Sequence, residues 1–554
     1  MAAERFAIRN VSLAPFDESS DTISVVAGVI EAVGSWQTLQ GLFNSQTIFY
    51  DAQGATVIPG INDSHLHGYM LGRQALGIDV SPNRCPNLSD LRKQLIAESP
   101  CDGGWIRGAG WVSGVISGSG PDGSLTHREL ADLALEQPIF LTDFSGHQAW
   151  CNLAALKAAG ITRDSANPPG GVIVRDPSGE PTGLLLEAAV ELVTKAIPLP
   201  SQQAIATALT KTSELLISAG VTSFTEPGLG PGAASLDDGT ATLEVLESYK
   251  RLADAGALKQ RVDIMLLFGG LGGTTVRDVV DGLDEFGPPI RPNRERKVSV
   301  AQLKVFADGI PRSRTAWMSE PYDNHQHGSL TLAGETDTER LGTLESIYRE
   351  ATNRNWQVGL HATGDASVRA ITEVADKVPK GRALRNYIIH ADLIAESDFI
   401  RIAKCGLGLN LQPGIRRMVG RNVEAILGSE RFKNRLQLRR ISELRIPFAL
   451  SSDAPVSPAD WRHIVAAAVD RSFQNDASYQ DDQGLSAQVA LEALTIGAAF
   501  QGHAETWKGR VAPGFVADLV VLDRKIDFEG DPWAFALAKT RAVFVGGQLE
   551  YGEL

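Results

Sequence analysis

The chain has 554 residues, of which 43% are hydrophobic and 21% are charged, and its formal net charge is −14. These values are typical of a globular protein that is too long for one core, so we expect two or three domains. The acidic balance argues against nucleic acid or an anionic membrane as a partner. No apolar run reaches the roughly 20 residues that a membrane-spanning helix needs.

The start of the chain lacks a basic segment followed by an apolar one, so it predicts no secretory signal. The cysteines are scattered and form no C-x-x-C motif. They are Cys85, Cys101, Cys151 and Cys405. We therefore expect reduced, mostly structural cysteines in a cytoplasmic protein.

Both ends of the chain are rich in short β-type segments separated by turn-forming residues. At the start these are residues 6–11, 22–26 and 46–50, and at the end they are 518–523 and 542–547. The two ends are predicted to complete one small β-sandwich, from residues 1–58 and 505–554, with the rest of the chain inserted between them.

From residue 59 to residue 504, apolar strands alternate with helical patterns, which predicts an α/β fold. The strand candidates are residues 56–61, 221–226, 262–268, 301–307, 357–361, 386–390, 407–411 and 446–451. Eight βα units are the count of a (β/α)8 TIM barrel. Residues from about 80 to 200 carry their own strand at 138–142 and are predicted to be an inserted α/β segment that covers the barrel mouth.

Polar side chains stand at or near the ends of five of these strands, the end that forms the catalytic face of a barrel. They follow or belong to strands 1, 4, 5, 6 and 8, and they are His65, His67, Lys304, His361, His390 and Asp453. Six such residues converging on one face indicate a metal site far more specifically than a single His-x-His pair does.

This arrangement resembles the binuclear form of the amidohydrolase superfamily, and the resemblance extends over nearly the whole chain. A narrower resemblance is to the branch that contains N-substituted formamide deformylase and YtcJ-like hydrolases. The motifs that carry it are Gly146-His147-Gln148-Ala149-Trp150-Cys151-Asn152, Asp308-Gly309, Ser313-Arg314-Thr315-Ala316 and Lys508-Gly509-x-x-x-Pro513-Gly514.

The resemblance implies two divalent metal ions, for which imidazole nitrogens and anionic oxygens favour Zn2+. His65, His67 and Asp453 would hold one ion, and His361 and His390 the other. A lysine inside a barrel has a lowered pKa, so its neutral amine can react with CO2. Carboxylated Lys304 would then bridge both ions. Glu226, at the end of strand 2, is an alternative bridge.

The implied reaction is hydrolysis of an amide-type or formamide-type C–N bond in a small molecule by a metal-bridging hydroxide. Lys304 and His390 belong to the catalytic set, and Asp453 would act as general base and then acid. Among the predicted substrate-binding residues, His147 would donate a hydrogen bond to the oxyanion, and Trp111 and Trp150 would form an apolar wall. One of the arginines Arg312, Arg314, Arg416 and Arg417 would pair with a substrate carboxylate. Gln412, in the strand-7 loop, completes the predicted set.

Two other functions stay open from the sequence. A deaminase with one metal ion would carry a Glu soon after the strand-5 histidine, which is absent here, and would leave Lys304 without a purpose. A non-catalytic assembly or regulatory protein would lose metal ligands, whereas this chain keeps all six. A homodimer is the default expectation for its oligomeric state.

Overall fold

A computed structural model describes residues 5–13, 15–97, 104–112, 114–119, 124–131, 137–144, 146–168, 170–236, 239–323 and 325–554. The chain begins with a four-stranded sheet in the order β3-β2-β1-β4. Its strands are β1 (Arg5–Arg9), β2 (Thr22–Val26), β3 (Val29–Gly34) and β4 (Ile48–Asp51), with the short helix α1 (Trp36–Leu39) before β4.

The apolar run predicted as barrel strand 1 forms two strands in different sheets, which corrects the expected strand 56–61. β5 (Val57–Pro59) leaves the barrel, and only β6 (Ile61–Asp63) belongs to it. Pro59 has no backbone N–H to continue a ladder, and Gly60 is the hinge between the two. A β-carbon at Gly60 would lie 2.2 Å from Thr222 Oγ1, so the close approach of the barrel wall requires glycine here.

An inserted unit follows, with a sheet in the order β11-β12-β10-β9-β8-β7. Its strands are β7 (Ile78–Asp79), β8 (Ile106–Trp111), β9 (Ile139–Asp143), β10 (Gln148–Cys151), β11 (Gly171–Arg175) and β12 (Pro181–Glu187). The helices of this region are α2 (Gly68–Leu76), α3 (Leu88–Ala97), α4 (Arg128–Ala131), α5 (Leu153–Ala158) and α6 (Glu191–Thr194). The unit therefore has a core of its own beside the barrel.

Seven parallel strands complete the central sheet with β6 as its first strand. They are β13 (Val221–Leu229), β14 (Arg261–Leu266), β15 (Val298–Phe306), β16 (Gln357–Ala362), β17 (Tyr387–His390), β18 (Gly408–Leu411) and β19 (Phe448–Leu450). The first and last strands meet where the backbone N–H of Asp453 donates to the carbonyl of His65 at 2.8 Å. The predicted (β/α)8 barrel is confirmed.

Most of the helices from residue 202 onward cover the outside of the barrel and bury apolar faces against its strands, while those within residues 413–433 line the cavity or pack in a separate apolar cluster. In chain order the helices are α7 (Gln202–Ala219), α8 (Leu243–Asp254), α9 (Val276–Phe286), α10 (Asp337–Asn353), α11 (Asp365–Lys377), α12 (Lys380–Ala383), α13 (Glu396–Cys405), α14 (Pro413–Val419), α15 (Glu424–Leu427), α16 (Ser429–Lys433), α17 (Leu438–Glu443), α18 (Trp461–Val469), α19 (Ala487–Ala493) and α20 (Ile496–Gln501). Within the described part of the chain, none of the helices has the length and apolarity that crossing a membrane requires.

The end of the chain returns to the start in a second four-stranded sheet, in the order β22-β21-β20-β5. Its last strands are β20 (Leu519–Leu522), β21 (Thr540–Val545) and β22 (Gln548–Gly552), with α21 (Pro532–Ala536) between β20 and β21. The sheets of the two chain ends share one apolar cluster, in which the Phe6 ring stacks on Phe544 at 5.2 Å.

Candidate metal centre

One cavity at the carboxyl ends of the barrel strands is lined by all six residues predicted as metal ligands. His65 and His67 follow β6, Lys304 lies in β15, His361 in β16, His390 ends β17, and Asp453 follows β19. The cavity encloses about 160 Å³.

Asp453 lies at the centre of the first ligand group. Its Oδ1 is 3.4 Å from His65 Nε2 and 3.3 Å from His67 Nε2. Two ligand atoms bound to a tetrahedral zinc ion are about 3.4 Å apart, given bonds of about 2.1 Å. His390 also joins this group, because ligand atoms of His65, His390 and Asp453 lie within 4.8 Å of one another.

The second group comes from β16 and β17, where the rings of His361 and His390 are 4.5 Å apart. His390 Nδ1 lies 2.8 Å from Gln412 Oε1, while Gln412 Nε2 donates to Asn410 Oδ1 and Ser451 Oγ. Because those two acceptors fix the Gln412 amide, Nδ1 of His390 is the donor and Nε2 is left to bind a metal ion. Gln412 therefore orients His390, and it also lines the cavity, where its role as a substrate contact stays a prediction.

Two of the ligands have an unusual backbone. His390 has φ 75° and Asp453 has φ 56°, in the left-handed region that residues with a β-carbon seldom adopt. Such conformations cost about 1–3 kcal/mol each and persist where the surroundings enforce them. In this protein they occur at the ends of two strands, β17 and β19, where the side chains of His390 and Asp453 point into the cavity.

The donor set fits a divalent ion. Buried atoms without a hydrogen-bond partner include both ring nitrogens of His65, Nδ1 of His361 and Oδ1 of Asp453. Burial lowers the pKa of the imidazoles of His65, His361 and His390, so these three rings are neutral. Burial alone would raise the pKa of Asp453. His67, His390 and Lys304 have the opposite and larger effect, so the pKa is lowered and the carboxylate is anionic. Neutral imidazoles beside a carboxylate are ligands that zinc prefers.

Lys304 and Glu226 were the two candidates for a bridging ligand. Lys304 lines the cavity, and burial lowers its pKa to about 7, so a neutral amine is available near neutral pH. Glu226 belongs to β13, and its buried carboxylate reaches the start of α2. There its Oε2 accepts from the backbone N–H of Tyr69 at 2.9 Å and from the hydroxyl of Tyr249 at 2.7 Å. These contacts give Glu226 a structural place, and it does not line the cavity.

Trp111 and Trp150 do not form the cavity wall, contrary to the prediction. Both are buried in the apolar core of the inserted unit, with their rings 6.4 Å apart. Their indole N–H groups donate to the carbonyls of Leu141 and Thr126. The apolar wall is formed instead by side chains of the strand-end loops, among them Phe144, Leu236, Ile310, Ile415, Val419 and Leu436.

The predicted arginines separate into two groups. Arg312 lines the cavity, with its guanidinium 5.3 Å from the centre of the Phe144 ring. Arg314 faces away and makes a double hydrogen bond with Asp323, which corrects its predicted role in the substrate site. Arg416 lines the cavity, while Arg417 stacks on Trp533 outside it. Arg435, which has no motif that the sequence could reveal, lines the cavity as well.

His147 reaches the cavity from the inserted unit, and its ring centre is 6.5 Å from that of His361. Its Nδ1 lies 2.7 Å from Oε2 of buried Glu187, whose Oε1 accepts from Thr315 Oγ1. Burial opposes the protonated imidazole, but Glu187 outweighs it and raises the pKa of His147. Sequence reasoning missed Glu187, because it is separated from His147 by a whole hairpin.

Asp308 is a second residue whose role the sequence did not reveal. Its carboxylate accepts from the backbone N–H groups of Trp317, Thr363 and Gly364 and from Ser367 Oγ at 2.7–3.0 Å. It thereby ties the loop after β15 to the loop after β16, directly behind His361. The Asp-Gly motif marks this position in the sequence but gives no partner for it.

Residues 49–551 match the model of the amidohydrolase family. The chain belongs to the amidohydrolase family. It is 29% identical over 539 residues to YtcJ of Bacillus subtilis (strain 168), whose name describes it as an amidohydrolase, with 96% of each chain covered. It is 26% identical to N-substituted formamide deformylase of Arthrobacter pascens, over 96% of this chain and 95% of that one.

The fold of this amidohydrolase also resembles a crystal structure of a metal-dependent hydrolase from Pyrococcus horikoshii OT3. The TM-score is 0.74 at 22% identity, with 96% of this chain and 99% of that chain covered. The family match and the ligand cluster together make the protein a metal-dependent hydrolase that acts on C–N bonds.

Proposed function

We propose that the protein hydrolyses the C–N bond of a small amide or formamide at a centre of two zinc ions. The observation that supports this most strongly is one cavity lined by six nitrogen and oxygen ligands, of which several are buried without a partner. Buried polar atoms cost about 1–3 kcal/mol each when unpaired, and metal binding would remove that cost.

In this proposal, His65, His67 and Asp453 would hold one ion, and His361 and His390 would hold the other. The amine of Lys304 would react with CO2 to give a further anionic oxygen ligand, and its lowered pKa favours the neutral amine that this reaction needs. Two ions held in this way supply a nucleophilic hydroxide near neutral pH and polarise the substrate carbonyl.

The residues of the chain then move the protons. The carboxylate of Asp453, which lies 3.3–3.4 Å from the Nε2 atoms of His65 and His67, would take the proton of the attacking water and pass it to the leaving nitrogen. His147, held by Glu187, donates a hydrogen bond to the oxygen that becomes negative in the transition state. Gln412 keeps His390 in the tautomer that binds metal.

A second candidate is a deaminase with a single metal ion. The close grouping of His65, His390 and Asp453 favours it, because these three alone offer one ion three ligands. In that case Lys304 would stay uncarboxylated.

Metal content per chain separates the two. By elemental analysis we expect about two zinc ions per chain in the wild type and one or fewer in Lys304→Ala. The control is Lys250→Ala, whose lysine pairs with Glu247 on the surface, and its zinc content should equal that of the wild type. The zinc-loaded protein should release amine from a panel of N-substituted formamides and acetamides. One ion in both the wild type and Lys304→Ala, with ammonia released from amino-substituted rings, would establish the deaminase instead.

A further inference from the structure

Three arginines cluster beside the cavity, and within the described part of the chain they form ion pairs with two carboxylates. Arg416 and Arg471 share Asp481, at 2.6 Å and 2.9 Å, and Arg435 pairs with Asp392 at 2.8 Å. Hydrogen bonds also connect the three arginines. The guanidinium of Arg416 donates to the backbone carbonyl of Arg471, and the guanidinium of Arg471 donates to the backbone carbonyl of Arg435. We name Arg416, Arg435 and Arg471 the arginine cluster.

The arginine cluster has more donors than the described residues can satisfy. Nε of Arg416 and Nη1 of both Arg435 and Arg471 are buried without an acceptor. Of the three guanidinium nitrogens of Arg435, only Nε donates to a described residue. All three arginines are at least 95% buried. A buried cation in excess of its counter-charges is costly unless an anion joins it.

Two members of the arginine cluster, Arg416 and Arg435, line the same cavity as the metal ligands. The same lining includes the apolar side chains of Ile415, Val419 and Leu436, and also Asp392, the partner of Arg435. Arg312 adds a further guanidinium to the lining. The lining thus combines the candidate metal ligands, apolar side chains and the three guanidinium groups of Arg312, Arg416 and Arg435.

We propose that the arginine cluster binds a carboxylate of the substrate, so that the substrate is an amide with an apolar body and one carboxylate group. This inference rests on the proposed function for the amide, but the carboxylate site stands on the cluster itself. The planar fork of an arginine matches a carboxylate with two parallel hydrogen bonds, and such charge-assisted pairs are about twice as strong as neutral ones.

The test uses matched ligand pairs on the zinc-loaded protein, with binding measured by calorimetry. The probes are acetate, hexanoate and phenylacetate, each against its neutral amide. We expect at least one acid to bind about tenfold or more tightly than its amide. Arg435→Gln should abolish that preference and leave amide binding unchanged within about twofold, while Arg314→Gln, at the surface pair with Asp323, should keep it.

A metal ion also attracts carboxylates, so the same titrations are repeated after zinc removal. A preference that persists without zinc and disappears in Arg435→Gln supports the arginine cluster. A preference that needs zinc and ignores Arg435, or no preference in any of the pairs, overturns the proposal. If Arg435→Gln does not fold, Arg435→Lys keeps the charge without the fork and should retain only part of the preference, and full retention would refute a fork-specific site.

These outcomes are separate from those of the proposed function. Hydrolysis of neutral amides with no preference for acids would overturn the carboxylate site alone. A preference for acids that depends on Arg435, in a protein that hydrolyses no amide and holds no zinc, would overturn the proposed function and leave the carboxylate site in place.

Discussion

Replacing Lys304 with methionine should stabilise the metal-free protein while it removes activity. Methionine keeps most of the apolar stem but has no amine to desolvate. Burial lowers the pKa of Lys304 from 10.5 to about 7, so folding forces this lysine to lose its proton or to carry a buried charge. A pKa shift is a difference in stability between the two protonation states, at 1.36 kcal/mol per unit.

The sign follows from proton binding. Between pH 7 and pH 10.5 the unfolded lysine keeps its proton while the folded one releases it, so the unfolded state binds more protons and stability rises with pH. At pH 7 the folded lysine therefore costs about 4 kcal/mol, and at pH 9.5 only about 1.4 kcal/mol. Lys304→Met should be more stable than the wild type by about these amounts.

The assay is urea unfolding of both proteins after chelation, in buffer free of CO2, at pH 7 and pH 9.5. The control is Lys250→Met, whose exposed lysine should change stability by no more than about 0.5 kcal/mol at either pH. A variant that is less stable than the wild type at pH 7, or a difference that does not shrink at pH 9.5, would refute the reasoning.

Three further predictions concern the supporting residues. Gln412→Ala removes the partner of His390 Nδ1 and should weaken zinc binding about 10- to 100-fold in a chelator competition; unchanged affinity would contradict its orienting role. Glu187→Gln should lower the thermal midpoint more at pH 6 than at pH 9. Glu187 raises the pKa of His147, and the resulting stability is fully present below about pH 6.5 and is lost as pH rises through the pKa of the folded state. An equal loss at both pH values counts against the pair. Trp150→Phe should destabilise the protein by about 1–3 kcal/mol and leave KM within twofold, whereas a raised KM at full stability would return this tryptophan to the substrate site.

The barrel could be predicted from the sequence because its signal is repeated. Each buried parallel strand is a short apolar run, and eight of them alternate with helices over most of the chain. The one misassigned strand shows where that signal fails. Residues 56–61 read as one apolar run, and only the pairing of β5 with β20, more than 450 residues later, divides it. No local pattern contains that information.

The meeting of the six candidate metal ligands in one cavity was predictable for a related reason. A residue at the carboxyl end of a barrel strand is placed by the strand itself, so strand number and position suffice. The other residues of the cavity lining lie mostly on loops and on the inserted unit, where the sequence does not give the direction of a side chain. Arg312 and Arg314 are two residues apart, yet one lines the cavity and the other pairs with Asp323. Trp150 lies three residues from His147 but is buried in another core.

The side chains that support the candidate metal ligands differ from those of the wall that would select the substrate, although both sets share loops. Gln412 fixes His390 from behind, and Asp308 joins the two loops that flank His361, in each case through hydrogen bonds to backbone or buried groups. Ile415, Arg416 and Val419 follow Gln412 in α14, and Ile310 follows Asp308 in the loop after β15, whereas Arg435 lies between α16 and α17. Because loops tolerate change far better than a packed barrel, substitutions in the wall can alter the substrate without moving the ligands. Differences in substrate between relatives should therefore lie in residues such as Ile415, Arg416 and Arg435, and not in the metal ligands.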